Sequence, residues 1–252
     1  MITIDNIRKQ YGDAVILDNI TTTIPNGGIT SIIGANGAGK STLLSIIGRL
    51  LLADSGRVQV GNLDVVTTNS AVLAKNLSIL RQENQFNSRL TVEELVGFGR
   101  YPYSKGRLTT KDLEIIDQSL AFLNLLDLRH RFLDELSGGQ RQRAYVAMVL
   151  CQDTNYILLD EPLNNLDMKH AVAMMKQLRL AADQLGKTII LVIHDINFAS
   201  AYSDYILAMK KGALCYQGQP KAIMQADILQ DIFDTPLSIH EVAGQLIAMY
   251  YQ

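Results

Sequence analysis

Residues Gly34 to Ser41 read GANGAGKS, a stretch with three glycines, two alanines, one lysine and no acidic side chain. Such a run has little to pack and nothing with which to move a proton, so its asset is its backbone. Small residues let successive N–H groups turn inward and approach phosphate oxygens closely. An apolar β-branched run, Ile29 to Ile33, precedes it, and a helical pattern from Lys40 to Leu51 follows. This is the strand–loop–helix setting in which Gly-x-x-x-x-Gly-Lys-[Ser/Thr] acts as a phosphate cradle, and a match by chance in a chain of this length is roughly a 1% event. Gly34, Ala35, Asn36, Gly37, Ala38 and Gly39 would present N–H groups to a nucleotide, with the positive end of the following helix dipole behind them. Lys40 would reach the β- and γ-phosphates and the Ser41 hydroxyl would ligate Mg²⁺, with Thr42 closing the set.

Working outward, further apolar runs at Asn76 to Leu80, Tyr156 to Leu159 and Thr188 to Ile193 read as strands buried on both faces, as in a parallel sheet. Helical patterns at Lys111 to Leu126, Gly138 to Leu150 and Met168 to Leu185 lie among them. The expected fold is therefore α/β, a nucleoside-triphosphatase core with a mostly parallel central sheet. Residues 83 to 135 break the alternation, since TVEELVGFG and TTKDLEIIDQSLAFLNLLDL are helical and no convincing buried strand separates them. We expect one domain over 1–252: a core with an antiparallel β layer over 1–82 and 154–215, a helical subdomain over 83–153, and a helix-and-turn extension over 216–252.

A metal held at the phosphates needs an acid at the end of another buried strand, and YILLDE supplies Asp160 there. Glu161, the next residue, is placed to orient or deprotonate water. His194 closes the run TIILVIHD, and the carboxyl ends of such strands are where open α/β sheets bind ligands. His130, His170 and His240 lack that setting and are expected at the surface. The motif LSGGQ, Leu136 to Gln140, opens another helix about a hundred residues after the first loop. Its serine hydroxyl, its N–H groups and its helix N-terminus make a second anion site.

The 23 basic and 25 acidic side chains leave a formal charge of −2, which argues against a nucleic-acid partner held by a basic surface. MITIDNIRKQYG has no apolar signal core, and no run approaches the ~20 apolar residues that span a bilayer. Cys151 and Cys215 show no motif spacing and are expected to be inert buried thiols.

Together the loop, LSGGQ and YILLDE, in that order, resemble the nucleotide-binding subunit of ATP-binding cassette (ABC) transporters over nearly the whole chain. The resemblance implies that Tyr11, in KQYG, stacks on adenine. It implies that Gln82, after LSILR, touches Mg²⁺ and the attacking water; that Ser137, Gly138, Gly139 and Gln140 form the signature; that Asp167, in NNLD, is the D-loop aspartate; and that His194 is the switch histidine. Asn164 and Asn165 depart from the frequent Ser-Ala of that D-loop. Two anion sites in one chain would need two phosphates, and the resemblance implies how they are met: a head-to-tail homodimer with each ATP between one subunit's loop and the other's signature.

With no membrane span, the channel is expected to be a separate permease, served indirectly by a periplasmic or lipoprotein substrate-binding protein, with this chain on the cytoplasmic face of the membrane. FGRYPYSKGRLT and DEPLNNLDMKH resemble the bacterial ATPases of ferric siderophore, haem and vitamin B12 uptake, siderophore members most of all. A free-standing ABC ATPase that remodels a soluble or ribosomal partner is the alternative. The segment RYPYSKGR, Arg100 to Arg107, is expected to line or border the groove that receives a permease helix.

Overall fold

The structure is a computed structural model that describes residues 1–82, 89–164 and 166–251. The first residues expected in the helical insert, and Asn165 of the D-loop, lie outside that range. The chain begins with strands β1 (Ile2–Tyr11), β2 (Ala14–Ile24) and β3 (Gly28–Ile33), helix α1 (Lys40–Ile47), then β4 (Ser55–Val60) and β5 (Leu63–Asp64). Next come α2 (Ser70–Leu73), β6 (Leu77–Leu80), α3 (Val92–Gly97), α4 (Tyr101–Ser104), α5 (Thr110–Phe122), α6 (Gly138–Cys151), β7 (Tyr156–Asp160) and α7 (Met168–Leu185). The last third holds β8 (Thr188–Val192), α8 (Ile196–Tyr202), β9 (Tyr205–Lys210), β10 (Ala213–Gly218), α9 (Pro220–Ile223), α10 (Ala226–Phe233), β11 (Ser238–Val242) and β12 (Gln245–Met249). Two compact units result, residues 1–68 with 188–252, and residues 69–187.

In the first unit, β3 pairs in parallel with both β8 and β9, and β10 adds to β9 antiparallel. Every residue of β8 is buried and all but the first of β3, which explains why these strands carry continuous apolar runs. The antiparallel layer, in the order β2-β1-β4-β5, buries Ile2, Ile4 and Ile7 of β1 on one face and leaves most of the other residues to solvent. Helix α1 buries Leu43, Leu44, Ile46 and Ile47, and each such side chain contributes about 1.5–3 kcal/mol when removed from water. The helix ends at Gly48, and Arg49 turns into left-handed backbone (φ 58°), so it stops short of Leu51.

The second unit holds the parallel pair β6 and β7 and the helices expected between and after them. Threonine and serine caps fix where they start. Thr91 pairs reciprocally with Glu94 at α3, Thr109 with Asp112 at α5, and Ser137 with Gln140 at α6. Beneath them Arg100 is buried, donating Nε–H to Asp112 Oδ1 (2.9 Å) and Nη1–H to the Cys151 carbonyl (2.9 Å). A buried ion pair of this kind holds its helices in register rather than adding large net stability.

Two expectations change. Cys151 is buried, and its surroundings push the thiol up to about 11, but Cys215 is exposed, because β10 lies at a sheet edge and turns this side chain outward. The chain end is not only helix and turn. After α10 it forms the hairpin β11–β12, whose second strand is tied to α8 by Asn197, which accepts from Ala248 N–H (2.8 Å) and donates to the Ala248 carbonyl (3.2 Å).

Candidate functional site

The loop from Gly34 to Gly39 joins β3 to α1, as strand and helix patterns demand. Its glycines are required by geometry: Gly34 (φ 143°) passes so close to β9 that a Cβ would stand 2.1 Å from the Met209 carbonyl oxygen, and Gly39 (φ 96°) would place one 2.8 Å from the Ile16 oxygen. Gly37 (φ 77°) faces open space. Gly39 is the N-cap of α1 and brings no capping side chain, so the first turn presents backbone to the loop's concavity. Lys40 is buried, with Nζ donating to the carbonyls of Gly34 (2.9 Å) and Ala35 (3.0 Å), so the ammonium is held inside the loop it would share with phosphates. Ser41 and Thr42 follow half-buried in the first turn. In the same unit Tyr11 ends β1, 57% exposed, with its ring beside Lys9, and His194 follows β8, exposed, just ahead of Asp195, the N-cap of α8.

The acidic residues Asp160 and Glu161 belong to the second unit. Asp160 closes β7 and is buried, and Glu161 follows with φ 51°, a left-handed conformation that costs a residue of this type about 1–3 kcal/mol. Its carboxylate is not left to swing. Gln82 donates Nε2–H to Glu161 Oε2 at 2.7 Å, and Asn164 donates Nδ2–H to the same oxygen. Gln82 therefore turns its Oε1 away from Glu161 as a hard oxygen donor. Asn164, noticed in the sequence only as an unusual D-loop residue, is thus a direct partner of Glu161.

Ser137, Gly138 and Gly139 open α6. Ser137 Oγ accepts from Gln140 N–H (3.3 Å), while Gln140 Oε1 accepts from Ser137 N–H (3.0 Å). An accepting hydroxyl keeps its own hydrogen to donate. Asp167 caps α7 by accepting from His170 N–H (2.9 Å), and that bond, followed by the His170 ring, holds its carboxyl below the usual carboxylate range. His170 differs from the surface residue expected: it is half-buried, with Nδ1 2.7 Å from Asp167 Oδ1. The spacing Asp-x-x-His at a helix start was the available signal. Of the segment Arg100 to Arg107, Tyr101, Ser104 and Gly106 line a groove of about 540 Å³ with Phe98, Leu108 and Leu113. Tyr103 does not, because its ring is taken by the guanidinium of Arg100 (4.0 Å) and the ammonium of Lys75 (5.1 Å).

Fold and loop together define a P-loop nucleotide-binding protein of the α/β class. Residues 17–164 match the family of ABC transporters. The chain is 57% identical over 250 residues to the petrobactin import ATP-binding protein FatE of Bacillus anthracis, covering 99% of this chain and 100% of that one. It is 51% identical over 251 residues to the petrobactin import ATP-binding protein YclP of Bacillus subtilis, covering all of both. Among solved structures, the dimeric post-hydrolysis state of the ATP-binding cassette MJ0796 with ADP and phosphate superposes with a TM-score of 0.78 at 28% identity, over 87% of this chain and 99% of that one. The chain belongs to the ABC transporter family, and its ATP-binding cassette makes it an ATPase that couples hydrolysis to transport.

Proposed function

We propose that this chain is the energy-coupling ATPase of an importer of ferric siderophores. The observation that carries the chemistry is Glu161, directly after buried Asp160 and held by amide donors from Gln82 and Asn164. In this reading Tyr11 stacks on adenine and Gly34 to Thr42 hold the phosphates. The Glu161 carboxylate takes a proton from water as its oxygen attacks the γ-phosphorus, the bond to the β,γ-bridging oxygen breaks, and ADP and phosphate leave. His194 steadies the γ-phosphate. Ser41, Asp160 and the amide oxygen of Gln82 are hard oxygen donors of the kind Mg²⁺ prefers, and they would hold it. When bound, that ion neutralises phosphate charge.

The signature Ser137 to Gln140 and Asp167 serve the nucleotide of a second copy, giving a homodimer with ATP at its interface. The full-length likeness to petrobactin import proteins supports the cargo class, a separate permease and a peripheral position on the cytoplasmic side of the membrane; among the described residues no helix is long and apolar enough to cross it. We keep the domain reading of a core over 1–82 and 154–215, an insert over 83–153 and an extension over 216–252. The groove lined by Phe98 and Tyr101 takes the permease's helix. Uptake of iron-loaded siderophore by cells carrying Glu161→Gln in place of the native chain tests the reading: uptake is expected to stop, and uptake at the native rate would refute it.

A further inference from the structure

His170 has no task in the chemistry above, yet it touches two of the motifs aimed at the second copy. Asp167 Oδ1 accepts both the backbone N–H of His170 (2.9 Å) and ring Nδ1 (2.7 Å). An ionised carboxylate can only accept, so Nδ1 carries the hydrogen, and the tautomer and orientation of the ring are fixed. On its other side the ring lies against the signature. A Cβ on Gly139 would stand 3.3 Å from Cγ and 3.5 Å from Cδ2 of His170, and 3.5 Å from Leu166 Cδ2. The ring is the better covered of the pair, its side chain 35% exposed against 65% for Asp167, the order expected when one residue supports and the other presents.

We infer that His170 is a positioning residue that joins the D-loop, through Asp167, to the signature helix, through Gly139, so that both meet the second copy's nucleotide in one fixed register. The inference rests on the ATP-sandwich dimer of the proposed function. Glycine at 139 then has a reason internal to the chain: a Cβ there would press on the imidazole, which would have to give by a few tenths of an ångström against its bond to Asp167.

The test uses the full chain with Glu161→Gln to stop hydrolysis, and compares it with the same chain carrying His170→Ala or His170→Asn. Asparagine keeps an N–H donor near the place of Nδ1. Sedimentation velocity over a series of ATP concentrations reads dimer formation, and titration with a fluorescent ATP analogue at dilution reads binding by the monomer. His170→Ala should raise the ATP needed for half-dimerisation about tenfold, the scale of one hydrogen bond to a charged group. His170→Asn should recover most of that, with monomer binding alike in all three. Gly139→Ala should cost less in the His170→Ala background than alone. Dimerisation of His170→Ala at the parent's ATP concentration, an asparagine variant no better than alanine, an equal fall in monomer binding, or additive losses with Gly139→Ala would each overturn the inference. A parent that stays monomeric in ATP would overturn the sandwich reading and this inference with it.

Discussion

Helices α1 and α6 both start with glycine-rich turns suited to anions, but they are built differently. Gly39 caps α1 with nothing but backbone, in a conformation only glycine adopts freely, and Lys40 brings a buried cation into the same turn. Ser137 caps α6 in extended backbone, closes a reciprocal pair with Gln140, and no cation occurs from Leu136 to Gln140. The first site is complete in one chain and carries charge. The second offers a hydroxyl and peptide dipoles, too weak to gather a nucleotide alone but well suited to a phosphate already held elsewhere. In the proposed function, affinity would thus belong to the loop and assembly to the signature.

The sharpest separation lies in the rate. Glu161→Gln should lower turnover by about 10²–10⁴, the usual scale of a general base, and leave ATP binding near native. Steady-state ATPase assays of the assembled transporter, with titration of the isolated subunit, check this; turnover near native would remove Glu161 from the chemistry. Lys40→Ala should weaken ATP binding by the monomer by roughly a hundredfold, as loss of charge-assisted bonds to phosphate implies, whereas Ser137→Ala should leave it within about twofold. Equal losses by calorimetry would erase the distinction between the two helices.

The glycines should part in the same way, by a smaller amount. Gly39→Ala forces a Cβ against the Ile16 carbonyl in left-handed backbone and should cost about 1–3 kcal/mol in urea unfolding. Gly138 lies in ordinary helix at the start of α6, so Gly138→Ala should unfold like the native chain while impairing ATP-driven dimerisation. A large stability loss for Gly138→Ala would mean that the signature glycines serve the fold.

A further contrast concerns acid. Helix α5 has the same reciprocal cap as α6 but with a carboxylate, Asp112, where α6 has the amide of Gln140. The Thr109 backbone N–H, then Arg100, then the Thr109 hydroxyl lower the Asp112 carboxyl to about 2. A depressed carboxyl contributes stability that is full above its ordinary value of 3.8 and fades as pH falls through about 2. The gap in urea midpoint between the native chain and Asp112→Asn should therefore shrink from pH 5 toward pH 2, while Gln140→Ala shows a gap that does not titrate. A constant gap for Asp112→Asn would contradict the cap assignment.

Much of this contrast was legible in the sequence, because the loop, the signature and the acids at Asp160 and Glu161 each sit where a periodic pattern changes. What was hidden depends on side chains meeting across distance in the chain. The bond from Gln82 to Glu161 joins residues far apart in sequence, and so does the seat of His170 on Gly139, while the local bond from Asn164 to Glu161 depends on a turn that no periodic pattern announces. Tyr103 read as an interface aromatic because its composition could not reveal that Arg100 and Lys75 already occupy it. The β11–β12 hairpin was obscured because its strands are short and half-exposed, so their alternation never outweighs the neighbouring helical signals.

The most direct test of a loop that binds and a signature that completes a second copy's site is complementation between two disabled chains. One carries Lys40→Ala with an intact signature; the other carries Ser137→Arg with an intact loop, the arginine standing where phosphate would lie. Each chain alone should fail to hydrolyse ATP. Mixed, they can pair the intact loop of one with the intact signature of the other, so hydrolysis should appear and rise with the concentration of the mixture. A mixture as inactive as its parts, or native turnover by the Ser137→Arg chain alone, would contradict the division of labour between α1 and α6.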